Sequence, residues 1–345
     1  MKFKQILMLM LAAILMFSMA ACSPEPAAPA ETPAETPAET PAEPESNYPE
    51  KPITVLQGFK AGGGSDALAQ LTQPFLTEIL GQSFVNQYIP GATGAIAWTQ
   101  LAKQTDADGY TISITNTPML QTNYIMNSDI TYNIDELTPI ANVVTDPGII
   151  VVGKDSKYKT AEELIAAAEA NPDTITVGNS GVGGDDFFTV LMFQKMSGIR
   201  FNMIPFEGDG PSWQAAAGGK IDASFNNLGI TFPQIEAGTL IPLAIFSEER
   251  NPAIPDVPTL KELGYDVVNG SSRGYSAPAG IPEDVRLALI AAFEEMAKDP
   301  DFLKAADDRA LPVDIKVGDD YMAYLEEQEA VFTEIWEEVK GEYAQ

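Results

Sequence analysis

The amino-acid sequence predicts an α/β fold that is divided into two lobes. Two successive stretches of the chain alternate short apolar strands with amphipathic helices, the pattern that builds parallel sheets. The folded part, residues 51–345, comprises about 295 residues, which is more than one hydrophobic core comfortably serves. In both stretches a glycine-rich turn separates a strand from a helix. Because α/β sheets bind ligands at the carboxyl ends of their strands, these turns are the expected binding region.

The first stretch is predicted from its apolar periodicity and its glycines. In chain order, its expected elements are a strand at 53–59, a helix that starts at Ser65 or Asp66 and runs to about Leu80, a strand at 83–89, a helix at 95–103 and a strand at 110–115. Serine and aspartate favour a helix start because their side chains accept hydrogen bonds from unpaired backbone N–H groups. Pro74 lies inside the first helix and is expected to kink it or to end its first half.

The second stretch begins near Pro139 and repeats the alternation. Its expected elements are strands at 148–153, 174–178, 201–205, 221–225 and 240–246, with helices at 161–170 and from Asp185 onward. A proline-punctuated connection at 251–258 then leads to residues 273–277 and to two further helices, the last at 319–338. The predicted boundaries are 51–143 for the first part of lobe 1, 144–246 for lobe 2, and 247–345 for the hinge return and the second part of lobe 1.

The beginning of the chain has the pattern of an export signal. Lys2 and Lys4 precede an apolar run at 6–17 that is too short to span a bilayer as a stable helix. Small residues stand directly before Cys22, the only cysteine, as they do in the lipobox of bacterial lipoproteins. The sequence therefore predicts a signal peptide at 1–21 and lipidation of the Cys22 thiol. An ordinary secretory signal with an incidental cysteine is the alternative.

The segment 22–50 is rich in proline, alanine, glutamate and threonine. Such a composition has too little apolar surface to offset the entropy lost on ordering, and closely spaced prolines keep the chain extended. We expect this segment to be a disordered stalk that holds the folded body away from a membrane surface.

The charge balance excludes several classes of function. The chain has 20 basic and 49 acidic residues, a net charge of −29, and residues 51–345 hold 18 of the basic and 42 of the acidic residues, a net charge of −24. Such a body binds nucleic acid or anionic lipid head groups poorly. The sequence also lacks histidine, the commonest metal ligand and general acid–base. We therefore expect no enzyme, no catalytic residue, no metal site, no cofactor and no nucleic-acid partner.

Two glycine-rich turns, at 59–66 and 179–185, could carry binding chemistry. Each ends a predicted strand and opens a predicted helix. Glycine lets the backbone approach a ligand closely, and unpaired N–H groups at a helix start favour an anion. The same glycines could instead form tight turns that bind nothing. Neither turn has the spacing of a nucleotide-binding fingerprint, so a nucleotide site is rejected.

Acidic residues near these turns allow more than one interpretation. Asp185 and Asp186 could form a carboxylate pair, but aspartate at a helix start is more often a cap. Glu207 and Asp209 border another glycine turn and are expected to be solvated. Without histidine, the chain lacks the usual base that activates a nucleophile, which again argues against an enzyme.

An ordered series of short motifs resembles a known family. In chain order the motifs are YPEKPIT at 48–54, GGGSDALA at 62–69, PGATG at 90–94, DGYT at 108–111, NSG at 179–181, GGKID at 218–222, IPDVPT at 254–259 and APAGIP at 277–282. From about residue 48 onward, the chain is similar to the extracytoplasmic solute receptors of tripartite tricarboxylate transporters, the TctC or Bug family. Each motif is modest alone, and their ordered succession makes the resemblance specific.

The resemblance implies a two-lobed, type II periplasmic-binding-protein fold that closes on a small ligand in a cleft between the lobes. It implies a carboxylate ligand, gripped by the two glycine turns, and delivery to a large and a small membrane subunit of a secondary transporter. The receptor is expected to be an extracytoplasmic, lipid-anchored monomer. The candidate ligand-binding residues are Phe59, Ala61, Gly62, Gly63, Gly64, Ser65, Asp66, Thr117, Asn179, Ser180, Gly183, Gly184, Asp185, Asn227 and Arg273.

Two features leave the identity of the ligand open. Arg273 could grip a second carboxylate through two parallel hydrogen bonds, and the serines and glycine around it suggest an open turn rather than a core strand. Alternatively, Arg273 pairs with a structural acid such as Asp185. Unpaired, Asp185 and Asp186 would repel a di- or tricarboxylate, and they could instead meet the ammonium group of an amino acid or amine. Outside transport, the alternative is a solute sensor that presents its bound state to a signalling partner.

Overall fold

The computed structural model describes residues 47–343. The predicted signal peptide, Cys22 and most of the predicted stalk lie outside the described residues. The end of the predicted stalk is described: the Tyr48 ring packs against the Tyr110 ring with 5.0 Å between centroids, and the Tyr48 hydroxyl donates to the Gly109 carbonyl at 2.6 Å. Tyr48 therefore belongs to the folded body.

The described residues form ten strands and ten α-helices. The strands are β1 (Ile53–Gln57), β2 (Phe84–Tyr88), β3 (Thr111–Thr117), β4 (Leu137–Gly153), β5 (Thr176–Asn179), β6 (Asn202–Pro205), β7 (Ala223–Asn227), β8 (Leu240–Ile245), β9 (Gly270–Pro278) and β10 (Val313–Val317). The helices are α1 (Gly64–Leu80), α2 (Ala95–Gln104), α3 (Met119–Met126), α4 (Ala161–Ala170), α5 (Asp185–Ser197), α6 (Asp209–Ala217), α7 (Leu228–Glu236), α8 (Glu283–Met296), α9 (Pro300–Asp307) and α10 (Gly318–Tyr343). The predicted α/β class is confirmed.

The strands form one mixed sheet. Its order is β2–β1–β3–β9–β4–β7–β5–β6, and β8 and β10 also pair with β4. The pairs β1–β2, β1–β3, β5–β6 and β5–β7 are parallel, as strand–helix alternation predicts. The 17-residue strand β4 pairs with β9 through its first part and with β7 and β8 through its last part. It therefore carries the chain from one group of strands into the other.

Each group of strands has its own buried apolar cluster. One cluster includes Ile53 and Ile112, and the other includes Val177 and Phe225. Burial of a large apolar side chain contributes about 1.5–3 kcal/mol, so these clusters hold the helices against the sheet. Where β4 and β9 pass between the clusters, the buried residues become polar, as at Asp146. The candidate site lies at this change from apolar to polar.

The residues around Arg273 form a core strand, so the prediction of an open turn is wrong. Strand β9 is buried along almost its whole length and lies antiparallel between β3 and β4. Small residues are needed here because the neighbouring backbone is close. A Cβ on Gly274 would lie 2.3 Å from the Ala141 carbonyl oxygen.

The ends of the helices differ from the expectations. Helix α1 begins at Gly64 with Gly63 as its N-cap, so neither Ser65 nor Asp66 caps it, and it continues through Pro74 to its end. Helix α10 extends farther than the predicted 319–338. Among residues 47–343, no helix combines the length and the apolar character that crossing a bilayer requires.

Candidate functional site

The first glycine turn connects β1 to α1 and is held in shape by Asp66. One oxygen of the Asp66 carboxylate accepts from the Gly62 backbone N–H at 2.8 Å, and the other accepts from the Tyr88 hydroxyl at 2.6 Å. Gly62 has a φ of +84°, a left-handed conformation that glycine adopts without strain. Because both Asp66 oxygens accept hydrogen bonds, Asp66 fixes the shape of the turn. The turn can then offer its backbone groups to a ligand.

Gly64, at the start of α1, lies against the guanidinium of Arg273. A Cβ on Gly64 would be 2.7 Å from the Arg273 Cζ, which is closer than non-bonded atoms approach. The adjacent Ser65 is buried and donates to the Asn116 side-chain oxygen at 2.9 Å. Asn116 is the register partner of Arg273 in the β3–β9 pair. The first turn therefore fits against the arginine only because position 64 has no side chain.

Arg273 is a buried cation and is only 3% exposed. Its Nη1 donates to Asp146 Oδ2 at 2.8 Å, and its Nη2 donates to Asn227 Oδ1 at 3.1 Å. Its Nε has no partner among the described residues. Arg273 therefore pairs with an acid of the protein, as the alternative interpretation predicted, but this acid is Asp146 and not Asp185. Since a guanidinium carries five N–H donors, this pairing leaves donors available.

Asp146, which the sequence analysis missed, lies within the long strand β4. It is fully buried, and its second oxygen accepts from the Gly229 N–H at 2.8 Å. Burial raises the pKa of Asp146, while the charge of Arg273 and these hydrogen bonds partly lower it. The sequence does contain a signal that points to Asp146. A lone acid in the largely apolar run 139–153 must be paired, because an isolated charge is costly to bury.

The second glycine turn connects β5 to α5 and contacts α3, which follows β3. Thr122 Oγ1, on α3, donates to the Gly183 carbonyl at 2.6 Å. Gly183 has a φ of +89°, and a Cβ there would lie 3.3 Å from Met126 Sδ. Asn179 Oδ1 accepts from the Gly181 N–H at 3.0 Å, and the buried Asn179 Nδ2 has no partner within residues 47–343. This turn therefore reaches the group of strands that holds the first turn.

Asp185 is the first residue of α5 and faces into the site. The N-cap is Gly184, so the interpretation of Asp185 as a cap is wrong. The Asp185 carboxylate instead accepts from Asn227 Nδ2 at 2.7 Å. Burial, and then the charge of Asp209, raises the pKa of Asp185 to about 6. Because Asn227 also accepts from Arg273, this amide links the second turn to the arginine.

Asp186 and Asp209 form an acidic pair. Asp186 is 1% exposed on α5, and Asp209 is the first residue of α6. Asp186 Oδ2 and Asp209 Oδ1 have no donor within the described part of the chain. Burial, and then the charges of Asp185 and Asp209, raises the pKa of Asp186 well above its ordinary value. Asp209 is partly exposed, so the expectation that it is solvated holds only in part: its Oδ1 is buried, and the fold brings its carboxyl against Asp186. No local pattern indicated this contact.

The other candidates lie on the two turns, except Thr117, which lies on β3. Phe59 packs edge-on against Trp98 with 6.3 Å between ring centroids, so it supports the first turn, and Ala61 is exposed. Thr117 ends β3 and is buried, and its Oγ1 lacks a partner among residues 47–343. Ser180 is partly exposed, and a Cβ on Gly184 would lie 2.6 Å from its hydroxyl. The absence of a side chain at position 184 therefore leaves room for this hydroxyl.

Two sizeable cavities in the described part are not lined by the glycine turns. One of about 450 Å³, lined by Thr145, Asn269 and Tyr324 among others, lies beside the site, since Asn269 donates to the Asp185 carbonyl; one of about 610 Å³ is lined by Lys159 and Pro258 among others. No buried polar atom that lacks a partner in this part of the chain lines either cavity, whereas several gather at the two turns. The turns are therefore the candidate site. No group of His, Cys, Asp and Glu side chains in residues 47–343 is arranged to hold a metal ion.

Comparisons with known proteins agree with this fold. The model of the tripartite tricarboxylate transporter family receptor matches residues 68–340. The UPF0065 protein in the gbd 5'region of Cupriavidus necator is 32% identical over 256 residues, which is 74% of this chain and 77% of that protein. BugT of Bordetella pertussis is 32% identical over 220 residues, 63% of this chain and 67% of that one. An R. palustris protein solved with adipate is 26% identical with a TM-score of 0.79, and the match covers 84% of this chain and 97% of that one.

The fold defines a periplasmic-type solute-binding protein, which is a class of receptors and not of enzymes. The chain belongs to the receptor family of the tripartite tricarboxylate transporters, because the family model covers most of its length. This confirms the resemblance that the ordered motifs indicated. Receptors of this family bind small carboxylates outside the cytoplasm and work with a membrane transporter.

Proposed function

We propose that this protein captures a small carboxylate outside the cytoplasm and delivers it to a secondary transporter built from a large and a small membrane subunit. The observation that carries the proposal is the buried guanidinium of Arg273, which lies against Gly64 and has no partner for its Nε within the described residues. A guanidinium binds a carboxylate through two parallel hydrogen bonds. The R. palustris relative solved with adipate supports this ligand class.

The two glycine turns supply further donors for a carboxylate. Helix α1 begins at Gly64 and helix α5 begins at Asp185, so the first N–H groups of both helices have no acceptor within their own helix. Such N–H groups, together with the positive end of the helix dipole, favour an anion. With a net charge of −29, the chain repels anions at long range, so a carboxylate ligand needs these local donors.

Closure on the ligand is part of the proposal. The two turns belong to different groups of strands, and β4 and β9 pass between these groups. We expect the groups to act as the two lobes and to move against each other about these strands, as in hinge closure. The hydrogen bond from Thr122 to the Gly183 carbonyl then joins the second turn to α3 in the closed form.

Replacing Gly64 with alanine should weaken carboxylate binding strongly. The added Cβ would lie 2.7 Å from the Arg273 Cζ, so the guanidinium must move, although Asp146 and Asn227 hold it in place. We expect a loss of affinity of at least about 100-fold, or about 2.8 kcal/mol, for the acid that binds best. Isothermal titration calorimetry with adipate, succinate, malate and citrate, on the wild type and the variant, measures this effect.

Gly341, on the exposed surface of α10, provides a matched control because a Cβ there meets no atom within 4 Å. Gly341→Ala should bind acids as the wild type does. Unchanged affinity in Gly64→Ala would contradict the role given to Arg273. Failure of every small acid to bind the wild-type protein would contradict the proposed function.

The proposal includes a lipid anchor at Cys22, followed by an extended stalk. Because Cys22 is the only cysteine and follows small residues, Cys22→Ser should release soluble protein or leave uncleaved precursor. Incorporation of a labelled fatty acid in expressing cells, together with membrane fractionation, measures this outcome. Equal labelling of the variant and the wild type would rule out this anchor.

A further inference from the structure

The candidate site holds more acid than its one buried arginine balances. Asp146, Asp185, Asp186 and Asp209 interact electrostatically with Arg273 or with one another. Asp146 is compensated directly by the guanidinium, and Asp185 accepts from a side-chain amide. Asp186 and Asp209 each keep one oxygen without a donor among the described residues. Among these four acids, the buried carboxylate oxygens without a donor in the described part of the chain are therefore those of this pair.

Asp186 is buried, and Asp209 is partly exposed with a buried Oδ1. Two carboxyls in contact in such surroundings do not both stay ionised unless a cation joins them. Without a cation, one of them keeps a proton, in line with the raised pKa of Asp186. A primary ammonium group would satisfy both, because it brings a positive charge and three N–H donors. Asp186 Oδ2 and Asp209 Oδ1 are the two acceptors that it would meet.

The same site holds a buried donor that lacks an acceptor. Arg273 is 3% exposed, and its Nε has no partner within the described part of the chain. Burial lowers the pKa of Arg273, but the charges of Asp146 and then Asp209 outweigh burial, so the pKa is raised overall and Asp209 interacts electrostatically with the guanidinium. Asn227 accepts from Arg273 and donates to Asp185, the residue before Asp186, so the acceptors without a donor and the donor without an acceptor lie in one site. Such a site matches a ligand that carries both an ammonium group and a carboxylate.

We infer that the ligand is an amino acid whose carboxylate binds Arg273 and the glycine turns and whose ammonium group binds Asp186 and Asp209. The inference rests on the proposed function, since it takes the carboxylate to lie at Arg273. A metal ion fits less well, because no set of acidic side chains in residues 47–343 has the arrangement that holds one.

Calorimetry with pairs of ligands that differ only in the ammonium group tests the inference. Three such pairs are succinate and L-aspartate, glutarate and L-glutamate, and isocaproate and L-leucine. Both members of a pair offer the same carboxylates to Arg273, so the difference in affinity reports on the ammonium group. For the pair that fits the site, the amino acid should bind about 100-fold more tightly than its desamino partner.

The variant that carries both Asp186→Asn and Asp209→Asn removes the charge of the pair and keeps its shape. Its preference for the amino acid should fall below about tenfold, since neutral amides no longer attract the ammonium group. The desamino partner should bind this variant at least as well as it binds the wild type, which also verifies that the variant folds. Asp129 is exposed, and Asp129→Asn is the control that should leave the preference unchanged.

Proton release gives a second measurement that needs no variant. If the ammonium group replaces a proton shared by Asp186 and Asp209, the O–H bond of the protonated carboxyl breaks and the proton passes to the buffer base. Calorimetry at pH 7 in buffers of different ionisation enthalpy should then show about one proton released per amino acid bound and none per desamino acid. Equal proton counts for the two members of a pair would overturn the inference, even if the double variant does not fold.

The affinities separate the failure of the inference from the failure of the proposed function. If the wild type binds the desamino member equally or more tightly, the site does not recognise an ammonium group. This result would overturn the inference and leave the proposed carboxylate receptor unaffected. A preference that survives in the folded double variant would overturn the assignment to Asp186 and Asp209. If neither member of any pair binds, the carboxylate proposal and the inference both fail.

Discussion

Replacing Arg273 with methionine should lower the free energy of unfolding by about 3–5 kcal/mol. The change removes the cation that pairs with Asp146 at 2.8 Å and leaves a carboxylate uncompensated in a buried strand. Asn227 also loses the donor to its side-chain oxygen. Because protonation relieves an uncompensated buried acid, the loss should be smaller in mildly acidic buffer than at pH 7.

Urea denaturation followed by circular dichroism measures this effect. The matched control combines Arg273→Met with Asp146→Asn, which removes the stranded charge and keeps an oxygen for the Gly229 N–H. We expect the double variant to recover more than half of the lost stability, while carboxylate binding stays lost. If Arg273→Met is as stable as the wild type, the ion pair between Arg273 and Asp146 does not stabilise the fold. Normal binding of acids by the double variant would show that Arg273 does not hold the ligand.

The ligand-free protein should lose stability as the pH rises from about 4 to about 7. Burial, and then the charge of Asp209, raises the pKa of Asp185 from 3.8 to about 6. A carboxyl whose pKa is higher in the folded state stabilises folding below its unfolded pKa, and this stabilisation is lost as the pH passes the folded pKa. For Asp185 alone the change is about 3 kcal/mol. Asp186, whose pKa is also raised, acts in the same direction.

The comparison of wild type with Asp185→Asn isolates this contribution. Asparagine keeps an oxygen for the Asn227 Nδ2 and does not titrate, whereas the surface acids titrate in both proteins. Unfolding free energies measured at half-unit steps of pH should therefore show a stability difference that falls as the pH rises. A difference that is constant or that grows with pH would contradict a protonated, buried Asp185.

The sequence was sufficient for the fold class, the family and the position of the glycine turns. Strand–helix alternation follows from local apolar periodicity, and β1, α1, β5 and α5 lie close to their predicted positions. The motifs were informative because their order along the chain is specific, and the family model over residues 68–340 confirms that signal. The boundaries of the two lobes and the individual ligand-binding residues stay predictions.

The interpretation of Arg273 could not be made from its neighbours. Serine and glycine favour turns in isolation, but in β9 they are small residues that let β3 and β4 approach. Asp209 likewise has the sequence surroundings of a solvated helix start, and only the folded structure, in which α5 and α6 both pack against β7, brings it against Asp186. In both places tertiary contacts outweigh local preference.

By itself, the sequence determined the acidic net charge, the lack of histidine and the two glycine turns, because composition and short motifs are properties of the chain alone. Only the tertiary structure decided the electrostatics of the site. Arg273 pairs with Asp146 across 127 positions, and Asn227 donates to Asp185 across 42 positions. Such pairs form because β4 and β9 pass from one group of strands to the other beside the glycine turns. Burial there makes the charge state of each carboxyl depend on the partner that the fold provides.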